Sequence, residues 1–462
     1  MDTKRNPDKF DGPLAVHPKN PRYFTDKSGR AIYLTGSHTW ENFQHFSGGE
    51  DNFVTPAKDK KFDFDGYLNV LHEKRHNFMR MWMWEQAAWM PGSEKMTVID
   101  PLPYKRTGPG LALDGKPKFD LDEWNGDFFA LMRQNIEAAS GKGVYVSIML
   151  FQGFSVLKPW LPGDPWRGHP YHRDNNVNGV DGDGDGDGIA DIHSLDVPSV
   201  TRRQEDFVKK VIDTVNDLDN VLFEIINEGE GDDRFIEWEI HMTEFIHDYE
   251  SGKPKRHPVG MTASGNANEA ALLFECPAEW MSPNYVMDTR YKNDPPAADG
   301  RKIILNDTDH VENQLTVYQS WVWKCFTRGH HPVFMDPWDS REFIGADMTT
   351  PESLRRLELI RDNMGCSLKL AERVNLAEMV PRNDLATTYY CLASAGSEYV
   401  VYLPDGGSAD VMLPDDTYTY AVEWFEPLTC KTAVAGNITA GGKTRLTPPF
   451  FADAVLYLKK IN

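Results

Sequence analysis

The strongest constraint on the fold is an alternation. Eight short apolar runs, each long enough for one strand, are separated by segments with helical periodicity. The runs are AIYLTGS (31–37), NFMRMWMW (77–84), VYVSIMLF (144–151), VLFEIINE (221–228), PVGMTAS (258–264), WMSPNY (280–285), KIILND (302–307) and HPVFMD (331–336). Between them, 123–142 places Phe128, Met132, Ile136 and Ala139 on one helical face, and Gly141 and Gly143 supply a stop. Segments 203–217, 232–250, 313–327 and 352–371 also carry a helical period. The connection after the fifth run is short, and DPPAADG (294–300) makes the one after the sixth irregular. Strands alternating with helices imply parallel pairing through crossovers. Eight such units fit a closed (β/α)8 TIM barrel better than an open sheet.

The PRYF segment is expected to form a hairpin leading into the first strand. Past about residue 386 the helical period disappears. EYVVYLP, ADVMLP, TYTYAVEWFEP, KTRLTPP and DAVLYLKK are short runs bounded by Gly, Asp, Asn and Pro, which predicts a small antiparallel β-sandwich. A boundary at the PRND stretch divides the chain into a barrel over 1–380 and a β-sandwich over 381–462. A chain of 462 residues has room for both cores.

No apolar run reaches the ~18–20 residues of a membrane span, so no membrane insertion is expected. The first residues, MDTKRNPDKFDGP, lack the apolar centre of a signal peptide. That fits a cytoplasmic protein, or a secreted or periplasmic one whose leader has been removed. The net charge of −21 and the lack of any long Lys/Arg run argue against a nucleic-acid partner. The acidic excess serves solubility first, and it suits a neutral or cationic substrate. Cys276, Cys325, Cys366, Cys391 and Cys430 are scattered and odd in number, with no CxxC pair. They read as small buried hydrophobes rather than as a thiolate metal site or a disulfide scaffold. Thirteen Trp is high for this length. Half or more are expected in the core, but Trp82, Trp84, Trp89, Trp160 and Trp166 are also candidates for stacking against sugar rings.

Barrel enzymes place their chemistry at the C-terminal ends of the strands. Those ends carry Ser37 and His38, Arg80, Gln152, Asn227 and Glu228, Asn284 and Tyr285, Asn306 with Asp307 and Asp309, and Asp336 with Trp338. Carboxylates closing apolar strands are costly to desolvate, so so many together need a chemical reason. FEIINEGEG runs out of the fourth strand with Asn directly before Glu. It resembles the Asn-Glu at the same strand of the clan A glycoside hydrolases. The resemblance implies that Glu228 is the catalytic acid/base and that Asn227 binds a sugar hydroxyl. It also implies that Arg80 supports the nucleophile and that Trp338 is a sugar platform. His38, Trp82, Tyr285 and His310 complete the expected substrate-binding set. Within the clan, RYFTDKSGRAIYLTGSHTW resembles the barrel entry of the apiosidase-like bacterial barrels. YYCLASAGSEYVVYLPDGG is similar to the start of their C-terminal β-domain of the collagen-binding type, a label that is not evidence of collagen binding. The implied partner is a poly- or oligosaccharide.

One departure stands out. The clan's nucleophile is a Glu ending the seventh strand, whereas here the strand reads IILNDTDH. Asp307 falls at the nucleophile's place, and Asp309 would share its face if the strand continued. The resemblance implies retention, while the shorter Asp leaves room for a water and hence inversion. Carboxyl separations of ~5–5.5 Å and ~6.5–9.5 Å distinguish the two.

NNVNGVDGDGDGDGIADIH (175–193) is a second motif. Asp183, Asp185, Asp187, the Ile189 carbonyl and Asp191 follow the D-x-D-x-D-G-I-x-D spacing of thrombospondin type 3 calcium loops, with Ser194 where a closing acid is usual. A structural Ca2+ at the rim of the site is expected, and a solvated acidic insert is the plainer reading. No organic cofactor is expected. Two other functions compete with glycoside hydrolysis. One is a metal-dependent hydrolase using Asp307, Asp309, His310, His330 and His331. The other is a non-catalytic carbohydrate-binding barrel, which the presence of Glu228 with Asp307 argues against.

Overall fold

The eight apolar runs pair as parallel strands and close on themselves. The computed structural model describes all residues except 1–9, 49–60, 94, 157–162, 230, 265–268, 312–317, 339–341, 344–345, 415 and 462. The barrel strands are β1 (Gly36–His38), β2 (Phe78–Met81), β3 (Tyr145–Gln152), β4 (Val221–Asn227), β5 (Val259–Thr262), β6 (Trp280–Ser282), β7 (Ile303–Asp307) and β8 (His331–Met335). β8 returns to β1 with Val333 opposite Gly36 and Met335 opposite His38, which closes a TIM barrel.

The flanking helices are α1 (Phe64–Glu73), α2 (Gly126–Gly141), α3 (Pro198–Val215), α4 (Asp233–Ser251), α5 (Glu269–Glu275), α6 (Gln319–Arg328) and α7 (Pro351–Ala371). α2 buries Phe128, Met132, Ile136 and Ala139, the face expected from their spacing. α3 starts earlier than the expected 203, because Pro198 occupies a first-turn position whose N–H needs no partner. α1 is a helix that the periodicity argument missed. Asp63 caps it by accepting from Gly66 N at 2.9 Å. Two further antiparallel ribbons were not expected either: 45–48 with 97–100, and 104–111 with 117–124.

The barrel interior is layered. Its floor is apolar: Leu34, Phe78, Tyr145, Leu222, Trp280, Ile303, Leu305 and Val333 form one cluster. Gly260 makes room for the Trp280 indole, since a Cβ there would lie 1.9 Å from the ring. Two residues further along their strands, Arg80, Ser147, Glu224 and Thr262 form a polar layer linked by hydrogen bonds.

After α7 the chain forms a six-stranded antiparallel sheet ordered 380–381, 391–394, 398–403, 454–460, 418–426, 431–440, with a separate ribbon of 409–412 and 443–446. One set of sheet side chains, including Val400, Tyr402, Val455 and Tyr457, packs with Trp323 and Phe326 of α6 and Leu368 and Leu370 of α7. The alternate set, including Tyr399, Val401, Leu456 and Leu458, packs with Val411 and Leu446 of the ribbon. The sheet is thus wedged between barrel helices and ribbon.

Candidate active site

Arg80 occupies the centre of the polar layer and is 2% exposed. Its Nε donates to Glu224 Oε2 at 2.7 Å, and its Nη1 donates to Asp307 Oδ2. One guanidinium therefore bridges β4 and β7 across the barrel. Burial alone would loosen its proton, but the Glu224, Asp307 and Asp309 carboxylates more than reverse this and raise its pKa. Glu224 also accepts from Thr262 Oγ1 at 2.7 Å and Ser147 Oγ at 3.4 Å, a donor set that suits an ionised carboxylate.

Asp307 closes β7 with no exposed side-chain surface. Its Oδ1 accepts from His38 Nε2 at 3.0 Å and from the Asp309 backbone N–H at 3.0 Å. Burial holds the His38 pKa below the usual imidazole value despite Asp307 beside it. A neutral ring facing a carboxylate must place its hydrogen on Nε2. The structure corrects one geometric expectation. β7 does not continue past Asp307; Thr308–Val311 is a helical turn, so Asp309 shares no strand face with Asp307. Asp309 is half-buried and supplies a backbone donor to Asp307.

Glu228 follows β4 directly and is half-buried, with φ of 49°. A left-handed glutamate is unusual and marks a backbone fixed by its surroundings. Gly153 is part of that fixing, because a Cβ there would come 2.4 Å from the Glu228 carbonyl oxygen. Asn227, the last residue of β4, is buried and pairs in register with Gln152.

The aromatic candidates fall into two groups. Trp82, Trp84, Trp89 and Trp166 are buried, and Trp82 stacks on the His38 ring at 5.3 Å with planes 8° apart. They are walls of the site and its surroundings, not open platforms. Trp338 is half-buried, with φ of 52°, and meets Tyr67 edge-on at 5.3 Å. Asp336 orients it by accepting the Trp338 N–H at 2.9 Å. Asp336 is itself gripped by Arg361 of α7 at 2.7 and 2.5 Å; burial opposes its ionisation, and Arg361 outweighs burial and lowers its pKa. Tyr285 is 49% exposed. Trp160 and the side chain of His310 lie outside the described residues.

Two carboxylates escaped the sequence argument. Glu224 was passed over as part of an apolar strand, although one acid inside VLFEIIN is itself a signal. Glu85 directly follows the apolar MWMW and is 11% exposed. It accepts from Gln152 N at 2.7 Å and His193 Nε2 at 3.1 Å, with His169 Nε2 at 3.6 Å. Burial opposes its ionisation, yet the two histidines hold its pKa down at about 2.

In the acidic loop, one oxygen from each of Asp183, Asp185 and Asp187 lies within 4.8 Å of the others. Asp183 accepts from Gly186 N and Gly188 N, Asp185 from Asp187 N, and Asp187 from Ile189 N. Asp191 accepts from Gly184 N at 2.9 Å and faces Arg234 at 3.6 Å. Three converging carboxylates fit a hard cation.

Two histidines of the metal-hydrolase alternative, His330 and His331, have structural partners. His331 accepts from Leu34 N at 2.8 Å and donates to Arg22 O at 3.0 Å, and burial lowers its pKa to about 4. His330 is buried, lies 3.2 Å from Asn306 Nδ2, and is lowered by burial to about 3. Among the described residues, the only group of three His, Cys, Asp or Glu side chains close enough to hold a metal is Asp183, Asp185 and Asp187.

A family model described as "Domain of unknown function (DUF6298)" matches residues 71–295. No curated protein matches the chain. Among solved structures, a glycoside hydrolase family 5 protein from Bacteroides vulgatus aligns with a TM-score of 0.63 at 13% identity, over 97% of this chain and 94% of its own. Another, described as a glycoside hydrolase, aligns with a TM-score of 0.60 at 13% identity over 97% of each chain. The chain therefore has the fold of glycoside hydrolases, a closed TIM barrel with an added antiparallel β-structure.

Proposed function

We propose that this protein hydrolyses glycosidic bonds of a poly- or oligosaccharide with two carboxylates. The observation that carries the reading is Asp307: a buried carboxylate at the end of β7, tied to Arg80 and His38, at the same end of the barrel as Glu228, which directly follows β4. Glu228 is the acid/base, meeting the leaving oxygen protonated. Asp307 is the partner that stays ionised beside an oxocarbenium-like transition state, and Asp309 is its rival. Asn227, His38, Tyr285, His310 and Trp338 bind the sugar. Retention follows from the clan resemblance. The sequence also puts the chain beside the apiosidase-like barrels, with the sheet after residue 380 corresponding to their C-terminal β-domain. Asp183, Asp185 and Asp187 hold a calcium ion that supplies structural rigidity, with Asp191 and the Ile189 carbonyl beside them.

The test is a screen on aryl glycosides and on plant and algal polysaccharides, followed by Glu228→Gln on the active substrate. The variant should fold and lose roughly 10²–10⁴ in rate on poor leaving groups and less on activated ones. Equal loss on both would reject the acid role. Asp307→Asn and Asp309→Asn then separate the two candidates, and NMR of the first-formed anomer reads retention directly.

A further inference from the structure

Three of the five cysteines, Cys276, Cys325 and Cys391, are buried as the sequence argument expected; Cys366 and Cys430 are half-buried. Cys366 lies on α7, the last barrel helix, and Cys430 lies between the sheet strands 418–426 and 431–440. They are 64 positions apart but line the same cleft. The turn holding Cys430 is docked on α7: Asn363, one helical turn before Cys366, donates its Nδ2 to Pro427 O at 2.9 Å. The Cys430 thiol reaches the same carbonyl at 3.8 Å. Asn363 is in turn fixed by Trp323 Nε1 at 2.7 Å. The two cysteines line one cleft with Lys369, Arg373 and Phe425.

We propose that Cys366 and Cys430 are a disulfide-forming pair that staples the C-terminal sheet to the last barrel helix. Their chemistry is already differentiated. The proximity of the two thiols lowers the Cys366 pKa and raises that of Cys430, whose S–H is held by the Pro427 carbonyl. Cys366 is thus the attacking thiolate. The oxidant is a small-molecule disulfide. Cys366 sulfur attacks one of its sulfurs, giving a mixed disulfide and releasing one thiolate. Cys430 then loses its proton, and its sulfur displaces the second thiolate from Cys366. Two cysteine thiols are oxidised, one external disulfide is reduced to two thiols, and the two cysteine protons end on those thiols.

The full-length protein is incubated with excess oxidised glutathione, unfolded, and its thiols counted; a parallel sample is digested without reduction for mass spectrometry. The count should fall from five to three (5 − 2), with one cross-linked peptide pair joining Cys366 to Cys430. Closing a loop of 64 residues should raise the melting temperature by about 4 °C over the dithiothreitol-treated protein. Cys366→Ser and Cys430→Ser should each abolish the cross-link and the shift. Five titratable thiols after oxidation, or a cross-link between other cysteines, would overturn the proposal. So would an oxidised form that melts no higher. None of these outcomes depends on glycosidase activity.

Discussion

Replacing Arg80 by Met removes the charge while keeping an unbranched side chain. Two buried carboxylates, Glu224 and Asp307, then lose the partner they share. Removing one member of a buried ion pair costs about 3–5 kcal/mol, because the other is left uncompensated. With an unfolding entropy of about 2.1 cal/mol/K per residue, 462 residues give about 1 kcal/mol/K. A single transition should therefore melt about 3–5 °C lower at neutral pH. The pH dependence gives the stronger test. Without Arg80 the two carboxylates bind protons more readily in the folded than in the unfolded chain. The variant's deficit should then shrink as pH falls from neutral to about 5. The assay is thermal melting of both proteins across that range. Arg80→Lys is the control: it keeps a charge, loses the fork, and should recover part of the stability. A penalty that stays constant with pH would refute the electrostatic account and leave Arg80 as packing.

Glu85→Gln should destabilise the protein near neutral pH, because it removes the buried carboxylate that accepts from Gln152 N and His193 Nε2. That stability is present above the ordinary Glu range and is lost as pH falls through about 2, so the variant's acid-unfolding curve should be flatter. Calcium should raise the melting temperature and a chelator lower it, and Asp185→Asn with Asp187→Asn should remove the response; identical melts with and without calcium would reject the site. Glu224→Gln should lower kcat on an active glycoside more than it raises KM, and an unchanged kcat would count against a part for Glu224 in setting the charge on Asp307.

Most barrel strands were legible because they lie within apolar runs, as strands covered on both faces must; the first, Gly36–His38, begins only where the apolar run 31–37 ends. α1 was missed because its apolar residues Tyr67, Leu68 and Leu71 sit among charged neighbours in a short segment. The ribbon 104–111/117–124 was missed because half of its residues are exposed and few are buried, so little hydrophobic alternation marks it. At the site, strand order brought Arg80 and Asp307 into view, since Asp307 closes β7 and Arg80 lies one residue before the end of β2. Glu224 was overlooked because it lies inside one, where a carboxylate has no reason to be until Arg80, Thr262 and Ser147 are seen around it. The run KIILND ends at Asp307, as the strand does, and the helical turn Thr308–Val311 removes the shared face that Asp309 would have had if the strand continued. The cysteine pair was invisible because a separation of 64 residues carries no local signal.

Glu224 also explains a feature of the charge balance. A buried Arg beside a single carboxylate would cancel it, leaving a neutral pair with little to offer a developing cation. Here Arg80 is divided: Nε serves Glu224 and Nη1 serves Asp307. His38 is held neutral by burial, so it orients Asp307 Oδ1 without adding positive charge. The enclosed group of Arg80, Glu224, Asp307 and His38 therefore carries one net negative charge, with Asp309 adjoining it. In a low-dielectric barrel that charge is felt more strongly than it would be in water. On the proposed reading it is directed where an oxocarbenium-like ring would develop positive charge, and no group has to reorganise to supply it. A glutamate buried inside β4 is costly for folding alone. It becomes intelligible as the group that lets Arg80 hold Asp307 in place without neutralising the site.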